Sequence, residues 1–436
     1  MEASPKQADQ RWGSFSPEWV ASVLEGRLHP PVAVAHDLTW DSRTVQPGAA
    51  FVALPGAKVH GREFALEALR RGAAFVITDQ AHPGAIQVAD PALALRRLGL
   101  ALRQRFGGPV VAVGGSSGKT TTKEALAQGL AWPAPQGNLN NAPGLAQFLW
   151  RLDPRAKGAV LELGIDRLGE MDELIEMTRP TLGLLSALGP EHLDGLGSFE
   201  NVIREESRLL EATELRLCSQ QAARWVRLPG LKIYGFEQAD FQGADLELQG
   251  DSSRFRYGGY SVRVPYAGLG PALGALAALA VAEVLGEPLE GVIERLAHLR
   301  LPSGRMERLV RGGVTILNDA YNANPVSVQA GLEYLKTQPG RKWLVLGEMK
   351  ELGERSLEYH LEAARQAAAV SERRIFLGTH AQAQAQAVGG EVANSVEEVA
   401  ELLSSVEAGD LVYLKASRSV GLERLLEIWP VLGEAR

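Results

Sequence analysis

The stretch VVAVGGSSGKTTTKE at Val110–Glu124 constrains this chain more than any other. Apolar and small residues enter a glycine-rich turn, and the turn enters a helix that begins at Lys119 with three threonines behind it. Such a junction predicts a buried strand, a tight loop and a helix N-terminus whose first N–H groups lack intrahelical partners. Those groups and the helix dipole favour an anion. Lys119 adds a point charge for a β- or γ-phosphate, and Thr120 a hydroxyl that can reach Mg2+. The pattern is the short form Gly115-Ser116-Ser117-Gly118-Lys119-Thr120, with Val113 where the longer G-x-x-x-x-G-K-[ST] motif has glycine. We read Gly115 through Thr121 as a nucleotide-phosphate site.

The 436 residues suffice for about three domains of ordinary size. With 45% hydrophobic and 22% charged residues the composition is that of a soluble globular protein. A net charge of −7 argues against a broad nucleic-acid face. The single cysteine, Cys218, excludes an internal disulfide and a cysteine zinc site. The polar opening MEASPKQADQRW predicts no signal peptide. The most apolar run, Pro271–Leu285, is too short to span a bilayer and carries Glu283. A cytoplasmic protein without membrane insertion is expected.

Taken in order, residues 1–107 read as a small α/β unit, with strands at Ala49–Leu54 and Ala73–Thr78 around a helix at Phe64–Arg71. Gly107-Gly108-Pro109 marks a boundary. A parallel α/β series follows over 108–301, with strands at Val110–Gly114, Ala159–Leu163 and Thr181–Leu188 and helices at Thr120–Leu130, Gly169–Met177 and Phe199–Ala212. Continuous apolar runs predict strands buried on both faces. Phe241–Pro265 alternates apolar and polar residues around glycine turns and predicts an antiparallel edge ribbon. A buried alanine-rich helix is expected at Ala272–Leu285. Leu301-Pro302-Ser303-Gly304 opens a third, Rossmann-like βα series over 302–436, with a closing helix from Val420.

Several residues stand where chemistry is expected. Ligands of doubly wound sheets bind beyond the carboxyl ends of the strands. Glu162 and His192 follow two such strand ends, so with Thr120 they are candidate ligands of a divalent metal bridging nucleotide oxygens. A strand-end glutamate can equally cap a helix, and a lone histidine can be structural. Ser42 and Arg43 could hold a phosphate, or Arg43 could form a solvated pair with Asp41. In Asn318-Asp319-Ala320-Tyr321-Asn322-Ala323-Asn324-Pro325, Asp319 could accept from ribose hydroxyls and Asn318, Asn322 and Asn324 could pair with amides or an adenine edge. Capping and turn formation are the alternative for that stretch.

GSSGKTTTKE, GNLNNAPG at 137–144, LELGIDRLGE at 161–170, the His192 loop, PSGRME at 302–307, NDAYNANP, LGEMKELGE and KASRS together resemble the Mur ligases of peptidoglycan synthesis. The resemblance covers the whole chain and implies three domains: a UDP-sugar domain, a central ATPase domain and a C-terminal ligase domain. It implies a monomeric, ATP- and Mg2+-dependent ligase that joins D-alanyl-D-alanine to UDP-N-acetylmuramoyl-tripeptide through an acyl phosphate. Ser42 and Arg43 would then face the uridine nucleotide, and Asn138, Asn140, Asn141 and Asn324 the substrates. Arg305 would reach the ATP phosphates, Asp319 the ribose, and Lys415, Ser417 and Arg418 the reacting groups. Another amide ligase of the same kind and a nucleotide-binding homologue without ligase activity remain as alternatives.

The departures from the family are as specific as the matches. The family's carbamylated lysine, fourteen positions after the loop histidine, falls on Glu206. We expect Glu206 to supply that carboxylate directly, as a catalytic and metal-binding group, unless it is a solvated helix-face residue. A family histidine and an adenine-contacting asparagine fall on Gly270 and Gly274, which predicts weaker discrimination of ATP from GTP. His60 and Arg62 stand where the family commonly has aspartate and histidine.

Overall fold

The computed structural model describes residues 13–56 and 59–429, and its packing forms two compact units. The first gathers residues up to 112 with 132–164 and 169–181; the second holds 113–131, 165–168 and 182 onward. The polar opening at 1–12 lies outside the described residues.

In the first unit a five-stranded sheet runs in the order Arg27–His29, Ala85–Gln87, Phe75–Thr78, Ala49–Val52, Asp37–Thr39. Its first pair is antiparallel and the rest are parallel. The strands Ala49–Val52 and Phe75–Thr78 are buried at every residue, as continuous apolar runs require. The intervening helix is Ala65–Arg70. A helix not anticipated from the sequence spans Pro91–Gln104; Asp90 caps it by accepting from the N–H groups of Ala92 and Leu93, and Pro91 fits its first turn. The helix Ala142–Arg151 is tied down through Gln147 Nε2, which donates to Leu38 O at 2.5 Å, and through Arg151, paired with Asp37 at 2.6 Å.

In the second unit the strands Leu182–Leu185, Leu215–Ser219, Lys232–Gly235 and Phe241–Gln242 form a parallel ladder. The ribbon expected at its edge is instead a separate three-stranded antiparallel sheet, Ala244–Gln249, Ser252–Tyr257 and Tyr260–Val264. A register shift between Ala244 and Glu247, with Asp245 left-handed at φ +52, turns the chain out of the ladder. The alanine-rich helix begins earlier than anticipated, at Leu269, and runs to Leu285.

Beyond residue 302 a six-stranded sheet has the order Glu307–Arg311, Val314–Asn318, Leu411–Lys415, Lys342–Gly347, Arg373–Leu377, Glu391–Ala393. Only its first pair is antiparallel. The closing helix expected from Val420 breaks up: Gly421, left-handed at φ +70, separates two 3₁₀ turns, and only Leu425–Ile428 is α-helical. Among the described residues no helix is long and apolar enough to cross a membrane.

Candidate active site

The strand Val110–Gly114 ends in a turn that only glycine can make at two places. Gly115 has φ +114, and a Cβ there would lie 2.5 Å from Ser186 Oγ; Gly118 has φ +84. The helix Lys119–Leu130 starts on Gly118 with no side-chain cap, so its first-turn N–H groups keep their capacity for an anion. The loop N–H groups before it are already used. Those of Ser116 and Ser117 donate to Ala187 O at 2.6 and 3.1 Å, and that of Gly115 donates to Glu206 Oε2 at 2.7 Å. The anion-binding face thus begins at the helix rather than across the whole loop.

Lys119 Nζ folds back onto Gly115 O and pairs with Glu191 Oε1 at 3.0 Å. Glu206 is a second carboxylate within the influence of the same charge. The helix Phe199–Glu211 buries Val202, Leu209 and Leu210 together with Glu205, Glu206 and Ser207, so the carboxylate lies on its inward side. At 0% exposure it is no solvated helix-face residue. One oxygen is used inside the protein and the other is not: Oε2 accepts from Gly115 N–H, and among the described residues the buried Oε1 has no hydrogen-bond partner. Burial pushes its carboxyl up to about 7; Lys119 and the Gly115 N–H pull it down, while Glu191 pushes it further up.

His192 adopts φ +50, and its buried Nδ1 lies 2.5 Å from Glu351 Oε2, inside ion-pair distance but out of hydrogen-bond alignment. Leu193 N donates to Glu351 O at 2.8 Å and Gly353 N to Asp194 Oδ1 at 3.2 Å. Asn324 links the stretch after residue 302 to the glycine loop. Its Oδ1 caps the helix Pro325–Lys336 by accepting from Ser327 N, and its Nδ2 donates to Ser116 O at 3.1 Å. It is a strut, where a substrate contact is expected from the sequence.

The other asparagines of that stretch are similarly employed. Asn318, expected at ATP, is 1% exposed; its amide donates to Glu307 Oε2 at 3.0 Å and accepts from Ala320 N. Asn322 is exposed and accepts from the adjacent Ala323 N at 2.9 Å. Asp319, expected at a ribose, holds Lys415 Nζ at 2.6 Å, Tyr413 OH at 3.1 Å and Met306 N at 3.1 Å, so its two oxygens are occupied by protein. Lys415, placed near reacting groups by the sequence, is 4% exposed in that pair. Ser417 Oγ accepts from Lys350 N at 2.9 Å and is buried. Arg305 and Arg418 converge on one ring, with guanidinium carbons 4.0 and 5.7 Å from the Tyr321 centroid. Arg305 Nε is buried without a hydrogen-bond partner, which leaves it capacity for a ligand.

Gly274 is where the alanine-rich helix meets the phosphate-loop helix: a Cβ there would lie 3.3 Å from Thr121 O. Nothing lies within 4 Å of a Cβ on Gly270.

In the first unit, Glu162 ends its strand buried. Oε1 accepts from Asn140 Nδ2 at 3.0 Å, while among the described residues Oε2 has no hydrogen-bond partner. An orphaned carboxylate oxygen of this kind suits a hard cation. Among the described residues no group of three or more His, Cys, Asp or Glu side chains is placed to hold a metal ion. Asn141 caps the helix Ala142–Arg151 by accepting from Gly144 N at 3.2 Å, and Asn138 O accepts from Asn140 N at 2.8 Å. Arg43 forks onto Asp41 with its side chain 85% exposed, the solvated pair of the two readings, and Ser42 opens the turn beside it. His60 Nδ1 accepts from Arg62 N at 3.2 Å, and Arg62 pairs with Asp79 at 2.8 Å. Glu191 and Glu351 carry no role in the sequence reading. Neither follows from spacing, because each acts on a residue distant in the chain.

Three family models match the chain: "Mur ligase family, catalytic domain" over residues 34–101, "Mur ligase middle domain" over 113–282 and "Mur ligase, glutamate ligase domain" over 304–418. The UDP-N-acetylmuramoyl-tripeptide–D-alanyl-D-alanine ligase of Escherichia coli (strain K12) is 30% identical over 436 aligned residues, covering 93% of this chain and 96% of the relative. A crystal structure of MurF from Acinetobacter baumannii superposes with a TM-score of 0.86 at 27% identity, over 95% of this chain and 98% of that one. MurF ligase from Thermotoga maritima, solved in complex with ADP, gives 0.79 at 29% identity, over 90% and 96%.

Proposed function

The chain belongs to the Mur ligase family, and we infer that it is the ATP-dependent, ADP-forming member that adds D-alanyl-D-alanine to UDP-N-acetylmuramoyl-tripeptide in peptidoglycan synthesis. The observation that carries the chemistry is one junction: an uncapped helix N-terminus, a glycine turn and Lys119 beside it. That combination binds a triphosphate.

The peptide carboxylate attacks the γ-phosphorus, its oxygen forms the new P–O bond, and ADP leaves with the electron pair of the bond that breaks. Both reactants are anions, so the barrier falls only if positive charge is fixed in advance. Lys119 and the first-turn N–H groups supply it, and Arg305 adds a second cation steered by Tyr321. The amine of D-alanyl-D-alanine then attacks the acyl carbon and phosphate departs. Exclusion of water protects that intermediate. Asn324 supports the docking this needs, since it ties the region after residue 302 to Ser116 of the loop. Mg2+, held by Thr120 and His192, would neutralise phosphate charge when bound. Glu206 supports the loop through Gly115 N–H, with the family's carboxylate-ligand role as the alternative use of its orphaned oxygen.

The organisation that accompanies this function is a UDP-sugar domain at 1–107, an ATPase domain at 108–301 and a ligase domain at 302–436, in a monomeric cytoplasmic enzyme. The test is phosphate release from ATP with UDP-N-acetylmuramoyl-tripeptide, with and without D-alanyl-D-alanine. Release that needs both substrates is expected; release that ignores the dipeptide sinks the assignment.

A further inference from the structure

The turn after the strand Lys342–Gly347 is anchored at its base. Met349 N donates to His360 Nε2 at 2.9 Å, Lys350 N to Ser417 Oγ at 2.9 Å, and Ser417 N to Glu348 O at 3.0 Å. From that base Glu351 reaches the His192 turn, where its carbonyl accepts from Leu193 N at 2.8 Å and its carboxylate lies 2.5 Å from His192 Nδ1. Both residues are left-handed, Glu351 at φ +63 and His192 at φ +50, a conformation that costs a non-glycine residue energy. With side-chain exposures of 53% and 29%, the pair is also a poor source of stability. Two strained residues thus face each other across a contact that contributes little to folding. His192 Nδ1 is buried and, among the described residues, has no hydrogen-bond partner.

We infer that Glu351 is a positioning residue for His192: it takes the Nδ1 side of the ring, so that Nε2 is the nitrogen presented to a ligand. The inference rests on the reading of His192 as an Mg2+ ligand. An imidazole that ligates through one nitrogen is oriented, and its tautomer selected, by what receives the proton on the other. Here the carboxylate that faces that other nitrogen, within ion-pair distance, comes from the far side of a docked contact. The histidine is therefore set for its ligand only while the turn at 348–353 sits on the turn at 192–194.

The test uses the full chain with ADP and no peptide substrates, so that no turnover occurs, and Mn2+ as the probe, with free Mn2+ read by electron paramagnetic resonance. Glu351→Gly is the cleaner truncation, because glycine keeps φ +63 without strain and so keeps the carbonyl bond to Leu193. Glu351→Asp, with the charge kept and the reach shortened, is the second. We expect His192→Ala and both Glu351 truncations to weaken Mn2+ binding about tenfold or more. Glu351→Gln, which keeps an oxygen of the same reach beside Nδ1, should stay within about threefold of the unaltered protein. In the His192→Ala background, Glu351→Gly should add less than about twofold. Unchanged Mn2+ affinity in Glu351→Gly, beside a loss in His192→Ala, overturns the positioning role and leaves the metal reading standing. An equal Glu351 effect with and without His192 overturns it too. If His192→Ala binds Mn2+ like the unaltered protein, the metal reading itself fails, and this inference with it.

Discussion

Two strand–loop–helix junctions of the second unit invite comparison: the glycine loop at 114–119 and the asparagine-rich loop at 318–325. Each follows a buried strand, and each feeds a helix. In the first, small residues leave the helix start uncapped, and the functional capacity lies in backbone N–H groups and one lysine. In the second, nearly every polar side chain is spent inside the protein. Asn318 is bonded to Glu307 and Ala320, Asp319 to Lys415, Tyr413 and Met306, and Asn324 to Ser327 and Ser116. The lesson is that a dense polar stretch does not by itself announce a ligand. A buried loop must satisfy its own backbone and side chains first; at the glycine loop the N–H groups of Gly115, Ser116 and Ser117 are likewise used, and what stays open is the uncapped helix start behind them.

The sharpest way to break this contrast is to remove one residue from each junction. Lys119→Met should lower phosphate release by about 10²–10³-fold while leaving the fold intact. Asn318→Ala should cost about 1–3 kcal/mol of unfolding free energy, because Glu307 and Ala320 N lose their partner, and should change kcat/KM for ATP by less than about threefold. Steady-state kinetics and denaturant titration of both variants decide the matter; a reversed pattern ends the contrast.

A smaller effect is expected where the two loops touch. Asn324→Ala removes the helix cap, about 1 kcal/mol, whereas Asn324→Ser keeps a capping oxygen and most of that stability. Both lose the bond to Ser116 O, so both should raise KM for ATP by about two- to tenfold, the worth of one hydrogen bond. Equal stability of the two variants would show that the cap contributes nothing.

The smallest effect lies at His360, beneath the turn that carries Glu351. Burial holds its imidazole below the ordinary 6.5, with Ser356 O accepting from Nδ1–H and Met349 N donating to Nε2. As pH falls through 6.5 the unfolded chain takes up the proton before the folded one, so stability is full above that pH and declines below it. The decline is at most about 1.4 kcal/mol per pH unit. Denaturant titration at pH 7.5 and 5.5 should show a smaller drop for His360→Gln than for the unaltered protein; an identical drop refutes the assignment.

Much of the fold was legible because its strands are continuous apolar runs. Val110–Gly114 falls on the residues expected, and the helix Lys119–Leu130 starts within a residue of its reading. The helix Pro91–Gln104 was missed although Asp90-Pro91 is a cap signal, and the closing helix failed at Gly421. At the site, the loop and Lys119 could be read locally. Glu206 could not, since its burial depends on which helix face meets the loop. Glu191 and Glu351 were invisible because a charge pair between distant segments leaves no trace in spacing.

Lys119 already holds a carboxylate, Glu191, in a pair with little exposure to water. A phosphate that takes the lysine therefore displaces an anion the chain carries itself, at an effective concentration set by the fold rather than by the cell. Capture is an exchange of one ion pair for another, so its free energy is a difference and not a sum. The same exchange run backwards returns the lysine to Glu191 whenever the nucleotide leaves.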